Sequence, residues 1–194
     1  MKGMKKILQL ICLGAVSLII LAWGSYADAA GTGTVSVTVR IKSLSVNLPG
    51  ATAWSLGDID TSTVSISPAI TVENNGNVNE TFTLQITDDG SWTAATTANG
   101  AGSEIFVMSG IFTQTGISTP ADANFNTGTN DDVILSSSAK TASVTDFANS
   151  TFSIPNGLSV PAAEQRTLWL QFKAPTSTAV TTLQTIQITV GVTP

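Results

Sequence analysis

Histidine is absent from the 194 residues, and cysteine and tyrosine occur once each. Without histidine, and with Cys12 and Tyr26 both inside the first 29 residues, the rest of the chain has no Ser-His or Cys-His nucleophile system. Most zinc and redox-metal sites are excluded for the same reason, and no internal disulfide can form. Charge is also scarce, at 11% of residues, and cations are scarcer than anions. From residue 30 onward the cations are Arg40, Lys42, Lys140, Arg166 and Lys173, against twelve acids from Asp58 to Glu164, a net charge of −7. Such a surface repels phosphate backbones and anionic lipid, so nucleic acid is not an expected partner. No segment carries a 3.6-residue apolar period, and beyond the N-terminal run no stretch is apolar for long enough to cross a bilayer as a helix.

The beginning of the chain reads as an export signal. In MKGMKKILQLICLGAVSLIILAWGSYADAA, Lys2, Lys5 and Lys6 precede an apolar run from Ile7 to Trp23, and small residues surround Ala27-Asp28-Ala29. This is the layout of a secretory signal peptide cleaved after Ala29. Cys12 sits deep in the apolar run, where a lipoprotein signal would not place it, and is read as a bystander. An uncleaved N-terminal anchor is the other reading of the same run. The expected location is outside the cell or on its surface, with the periplasm as the alternative.

Residues 30–194 are the size of one compact domain. Short apolar/polar alternations recur through them. TVSVTVRI places Val35, Val37, Val39 and Ile41 on one face, and Leu44, Val46 and Leu48 follow. Trp54 and Leu56 are predicted core plugs, with Val64 and Ile66 beyond them. ITVENNGNVNETFTLQI alternates on both sides of a polar knot and predicts a hairpin or an equivalent tight strand connection, with Asn75-Gly76 supplying positive φ at the reversal. Asp88-Asp89-Gly90 predicts another reversal. EIFVMSGIF, RTLWLQF and LQTIQITVGV predict further strands, and Val144, Phe147, Phe152 and Ile154 predict order between them. Residues 113–142 are rich in turn formers, with Val133 to Leu135 as their one strand candidate, and predict a long loop or insertion. The fold class expected is all-β: an antiparallel β-sandwich, Ig-like or jelly-roll-like, of about nine or ten strands. An outer-membrane barrel would need aromatic girdles, and the three tryptophans of this region are dispersed.

Carboxylates remain as possible chemistry. A glycosidase needs two of them facing across a cleft. The pairs Asp58/Asp60, Asp88/Asp89 and Asp131/Asp132 lie beside turn formers instead, so no catalytic residue is expected. Calcium needs only oxygen donors, and NFNTGTNDD offers a weak candidate set in Asn124, Asn126, Asp131 and Asp132, although its spacing matches no EF-hand. No other cofactor is expected. In TLWLQF, Leu168, Leu170 and Phe172 share one face and Trp169 the other. An outward Trp169 has three uses: stacking on a sugar ring together with Trp92, meeting a partner subunit, or lying beneath the 113–142 loop.

The stretch ITVENNGNVNETFTL is similar to the Asn-Gly hairpin of many bacterial secreted Ig-like modules. More loosely, the order of signal peptide, early strands, WSLGDI and ENNG over residues 30–90 resembles TasA/camelysin-type extracellular fibre subunits, without their lysine-rich character. The resemblance implies a structural extracellular role and carries over no catalytic residue. Two functions from different classes are therefore expected. The first is a non-enzymatic structural protein of the cell surface or matrix that associates with itself by strand addition through its terminal strands. The alternative is a carbohydrate-binding or adhesive module that recognises surface glycans.

Overall fold

A computed structural model describes residues 36, 38–50, 52–128, 130–150 and 156–194. The expected export signal therefore lies outside the described residues. Ile41–Pro194 forms one compact unit. Its strands are β1 (Val46–Asn47), β2 (Val64–Ile66), β3 (Ile70–Asn74), β4 (Thr81–Asp88), β5 (Thr93–Ala94), β6 (Ile105–Thr113), β7 (Lys140–Thr141), β8 (Gln165–Lys173) and β9 (Gln187–Thr193). They build an all-β sandwich of two sheets. One holds six strands in the order β1-β3-β8-β6-β5, with β2 also on β8, and the other holds β7-β4-β9. Every pairing is antiparallel except that of the two-residue β5 with β6. Among the described residues no helix is long and apolar enough to cross a membrane.

The strand period decides which residues fill the core. From β6 come Phe106, Met108 and Phe112, from β8 Leu168, Leu170 and Phe172, and facing them from β4 Phe82, Leu84 and Ile86, all nearly inaccessible. Each such side chain contributes roughly 1.5–3 kcal/mol by leaving water. Gly110 occupies the middle of β6 because a Cβ there would meet Leu84 Cδ1 at 2.8 Å and Ile134 Cδ1 at 3.2 Å, so the absent side chain lets the sheets approach. β2 and β3 run along the same edge of β8 and are separated at Pro68, which has no N–H to add to a ladder. Ser67 carries the pairing across the gap: its N–H donates to Leu170 O at 2.8 Å and its Oγ accepts from Leu170 N–H at 2.9 Å.

Three local expectations are corrected. β3 and β4 do not form a hairpin, because β3 pairs with β8 while β4 pairs with β7 and β9 in the opposite sheet. The polar knot is a crossing between layers. Asn75 and Gly76 do not adopt positive φ. Glycine is needed at 76 for room, since a Cβ would lie 2.1 Å from Glu80 Oε1 and 2.6 Å from Ser43 O. The first predicted strand is the second correction. Residues 38–42 carry no strand, Val39 and Ile41 are exposed, and Val35 and Val37 lie outside the described residues. The third concerns the order expected at Val144 and Phe147, which holds only for Phe147: it is buried in the core whereas Val144 is exposed, and Phe152 and Ile154 lie outside the described residues. Positive φ does occur at Gly90, where the chain leaves β4 as predicted.

Residues 114–139 are the long connection between β6 and β7, and they perform two packing tasks. The first part, including a 3-10 turn at Asp122–Asn124, crosses the outer face of the six-stranded sheet and packs Phe125 on Ile111 and Trp169. The second part runs along the edge of β6 beyond its short pairing with β5: Gly110 N–H donates to Asp132 O and Ile134 N–H to Met108 O, both at 2.9 Å. Val133 makes a single bridge to Ser109 rather than belonging to a strand, as Val133 to Leu135 was expected to do. Ile134 drops into the core.

Candidate functional site

The sandwich has two places where unusual chemistry gathers: the β9 edge with the nearby segment 41–47, and the loop covering the outer face of the large sheet.

At the first, β9 lies at the end of the three-stranded sheet, paired to β4 along one side. Among the described residues no strand pairs with its other side. Ile188, Val190 and Val192 point to the core but are only half-buried, unlike Phe82, Leu84 and Ile86 opposite them. Nearby, residues 41–47 lie along the β3 edge in an extended course held largely by side chains. Asn77 reads this backbone with its whole amide: Nδ2 donates to Ile41 O at 2.8 Å and Oδ1 accepts from Ser43 N–H at 3.0 Å. Asn77 N–H donates to Ser43 O at 3.1 Å, Asn75 N–H to Ser45 O at 2.8 Å, and Ser45 N–H to the buried Glu80 Oε1 at 2.7 Å. Asn74, itself fully buried, organises the knot from which these groups project. Its Nδ2 donates to Val78 O and Val160 O, and its Oδ1 accepts from Gly76 N–H, all at 2.8 Å. The Asn/Glu pattern of ENNGNVNE was legible in the sequence as turn chemistry; its service as a receptor for another backbone segment was not.

Trp169 lies beneath the loop. It is 3% exposed, packs with Ile111 and Phe125, and donates from Nε1 to Thr113 Oγ1 at 3.1 Å. Of the three uses expected for a Trp169 turned away from the core, the structure has the one beneath the loop: alternation placed the side chain on the outer face, and a second apolar layer covers it. Trp92 is half-buried, stacked on Phe172 at 6.2 Å and tilted on Phe106 at 6.4 Å, with Nε1 donating to Thr178 Oγ1 at 3.1 Å. It and Trp169 belong to different clusters and form no common platform.

The four calcium candidates are brought into one loop, where one side-chain oxygen of each is engaged with the loop's own backbone, while among the described residues Asp131 Oδ1 and Asp132 Oδ1 are buried without a hydrogen-bond partner. Asn124 Oδ1 accepts from Ala121 N–H at 2.7 Å, Asn126 Oδ1 from Asp132 N–H at 3.3 Å, Asp131 Oδ2 from Gly128 N–H at 2.8 Å and Asp132 Oδ2 from Asn126 N–H at 2.6 Å. Among the described residues no three His, Cys, Asp or Glu side chains are placed to hold a metal ion. The local positive charge is Lys140, which donates to Asn130 O and Asp131 O and pairs with Asp146 Oδ1 at 2.8 Å. Burial pushes Asp146 upward, but the hydrogen bonds from Lys140 and Ser143 outweigh it and hold the carboxyl below the usual range. Asp132 behaves oppositely. Burial drives it up to about 7, assisted by Asp131 and opposed by the Asn126 amide and by Lys140.

The remaining acid pairs serve turns: Asp88 Oδ1 accepts from Gly90 N–H at 2.9 Å, and Asp58 and Asp60 are exposed. The architecture and these sites define an all-β sandwich whose polar side chains chiefly organise backbone. No protein-family model matches the chain, and no curated protein or solved structure matches it either.

Proposed function

We propose that this is a secreted, non-enzymatic structural protein of the cell surface or extracellular matrix that assembles with copies of itself by strand addition. The observation that carries the reading is the unpaired side of β9 with its half-buried Ile188, Val190 and Val192. An edge of this kind offers a row of backbone donors and acceptors and an incompletely sealed apolar row. The natural occupant is the alternating segment Val35–Ile41 of a second copy. It is as long as β9, and its Val35, Val37, Val39 and Ile41 would prolong the apolar row. Residues 38–42 have no strand partner of their own to give up.

The sugar-binding reading is the second choice, because Trp169 is buried and Trp92 is half-buried against Phe172, so the two offer no shared stacking platform. The test is size-exclusion chromatography and negative-stain microscopy of the protein, with and without residues 30–42. A second variant, Val39→Lys with Ile41→Lys, changes only exposed positions and leaves the fold intact. Concentration-dependent oligomers lost in both variants support strand addition. A strict monomer at high concentration, or oligomers unaffected by both changes, ends it.

A further inference from the structure

The covering loop contains a polar cluster that the assembly reading does not use. Asp132 and Gln171 are each 0% exposed, and among the described residues Asp132 Oδ1 and Gln171 Oε1 have no hydrogen-bond partner, as is also true of Oδ1 of the adjoining Asp131. They flank one patch of the outer face. Gln171 of β8 is the cross-strand partner of Ser109 on β6, Ser109 Oγ accepts from Asn126 Nδ2 at 2.8 Å, and Asn126 N–H donates to Asp132 Oδ2. Gln171 also ties the loop down, donating from Nε2 to Asp122. The loop is thus fastened to the sheet through Asn126 and Asp122, directly beside the apolar seal of Phe125 on Trp169 and Ile111.

We propose that Asp132 is a proton-operated latch: neutral, it keeps the 114–135 loop closed over the outer face of the large sheet, and ionised, it loosens the loop and uncovers Trp169. A buried carboxylate with one oxygen unpaired is costly, and a proton is the one partner that needs no additional space. The charges around it favour the neutral form. Asp131 adjoins it on its own loop, and Asp122 is held against β8 by Gln171. β6 and β8 present the uncharged Ser109 and Gln171 to this patch. Lys140 of β7 attracts the carboxylate, yet its ammonium is committed to Asn130 O, Asp131 O and Asp146. Backbone amides of Asn126 and Ala148 are the donors left to support the anion. Hydrating Asp132 requires the Asn126–Asp132 contact to open, and that contact carries the loop's hold on Ser109. The direction of the carboxyl's shift, with burial as its largest cause, agrees with this geometry.

The experiment is amide hydrogen exchange across pH 5.5–8.5 on the purified protein, corrected for intrinsic exchange, comparing the native chain with Asp132→Asn. Protection of residues 114–135 should fall about tenfold per pH unit above neutrality while β4 and β8 remain protected, and Asp132→Asn should abolish this dependence. A carbon-detected NMR titration of the native carboxyl supplies a second readout should the variant fail to fold, and a midpoint near 4 overturns the latch. Identical exchange profiles in both proteins overturn it too. Added calcium that restores protection at pH 8 also overturns it, because the unpaired oxygen would then be awaiting a cation and not a proton.

Discussion

Asn74 gives the strongest quantitative check on how the sandwich is built. Its side chain makes three hydrogen bonds of 2.8 Å, to Val78 O, Val160 O and Gly76 N–H, in a position without solvent access. Truncation in Asn74→Ala removes all three. Val160 O retains the Glu80 N–H bond at 2.9 Å, so its loss is partial. Val78 O and Gly76 N–H lose the partner that shapes the crossing from one sheet to the other. At about 1 kcal/mol for each bond, with more for a group left buried and dry, the expected loss is about 3 kcal/mol. For a domain of this size that is a fall in Tm of roughly 6–12 °C. Asn74→Asp keeps the volume and the Gly76 bond but turns an acceptor toward two carbonyls. It should be worse than alanine at pH 7 and recover in acid, where the protonated oxygen can donate one bond. Urea unfolding of the three proteins at pH 7 and pH 4 measures this. An alanine variant within 1 kcal/mol of the native chain, or an aspartate variant better than alanine at pH 7, would refute the reasoning.

Other perturbations test the remaining contacts. Trp169→Ala should cost about 3–5 kcal/mol in chemical denaturation, whereas Trp169→Phe, which mainly gives up the Thr113 hydrogen bond, should cost about 1–2. Gly76→Ala places a methyl group against Glu80 and Ser43 O, so hydrogen exchange at Ser43 and Ser45 should accelerate while the core strands are unaffected. The raised Asp132 makes stability depend on pH with a definite sign. Between its unfolded value of 3.8 and its folded value of about 7 the native state alone holds the proton, so stability is greatest below 3.8 for this group and falls as pH rises to 7. The loss is roughly 4 kcal/mol, flattened in Asp132→Asn, and thermal melts at pH 4 to 8 would read it. Asp146 acts in the other direction and lower down. Its contribution is present above the usual carboxylate range and is lost only as pH falls through its depressed folded value.

Much of the architecture was legible because the strand period is exact at two residues. The alternation in TFTLQI and TLWLQF assigns Phe82, Leu84, Leu168 and Phe172 to a common interior without any knowledge of partners, whereas IFVMSGIF is apolar on both faces and left its inward side open. The candidate sites were legible only in part. NFNTGTNDD identified a loop dense in oxygen donors, but the donors' commitment to that loop's own amides depends on turns several residues long. That Asp132 becomes the buried, proton-hungry member depends on β6 and β8 lying beneath it.

The amino-acid order by itself therefore determined the all-β class, part of the core and the absence of histidine from any site, since each depends on residue type or on a period that every extended chain obeys. Which strands pair, and what covers a face turned away from the core, were decided by tertiary structure. The NNG knot sends β3 and β4 to opposite sheets where a local turn rule predicts neighbours, and the buried amide of Asn74 joins the knot's own Val78 to Val160, 86 residues further on. Trp169 likewise faces away from one apolar layer and into another, and no periodicity can distinguish that from facing water.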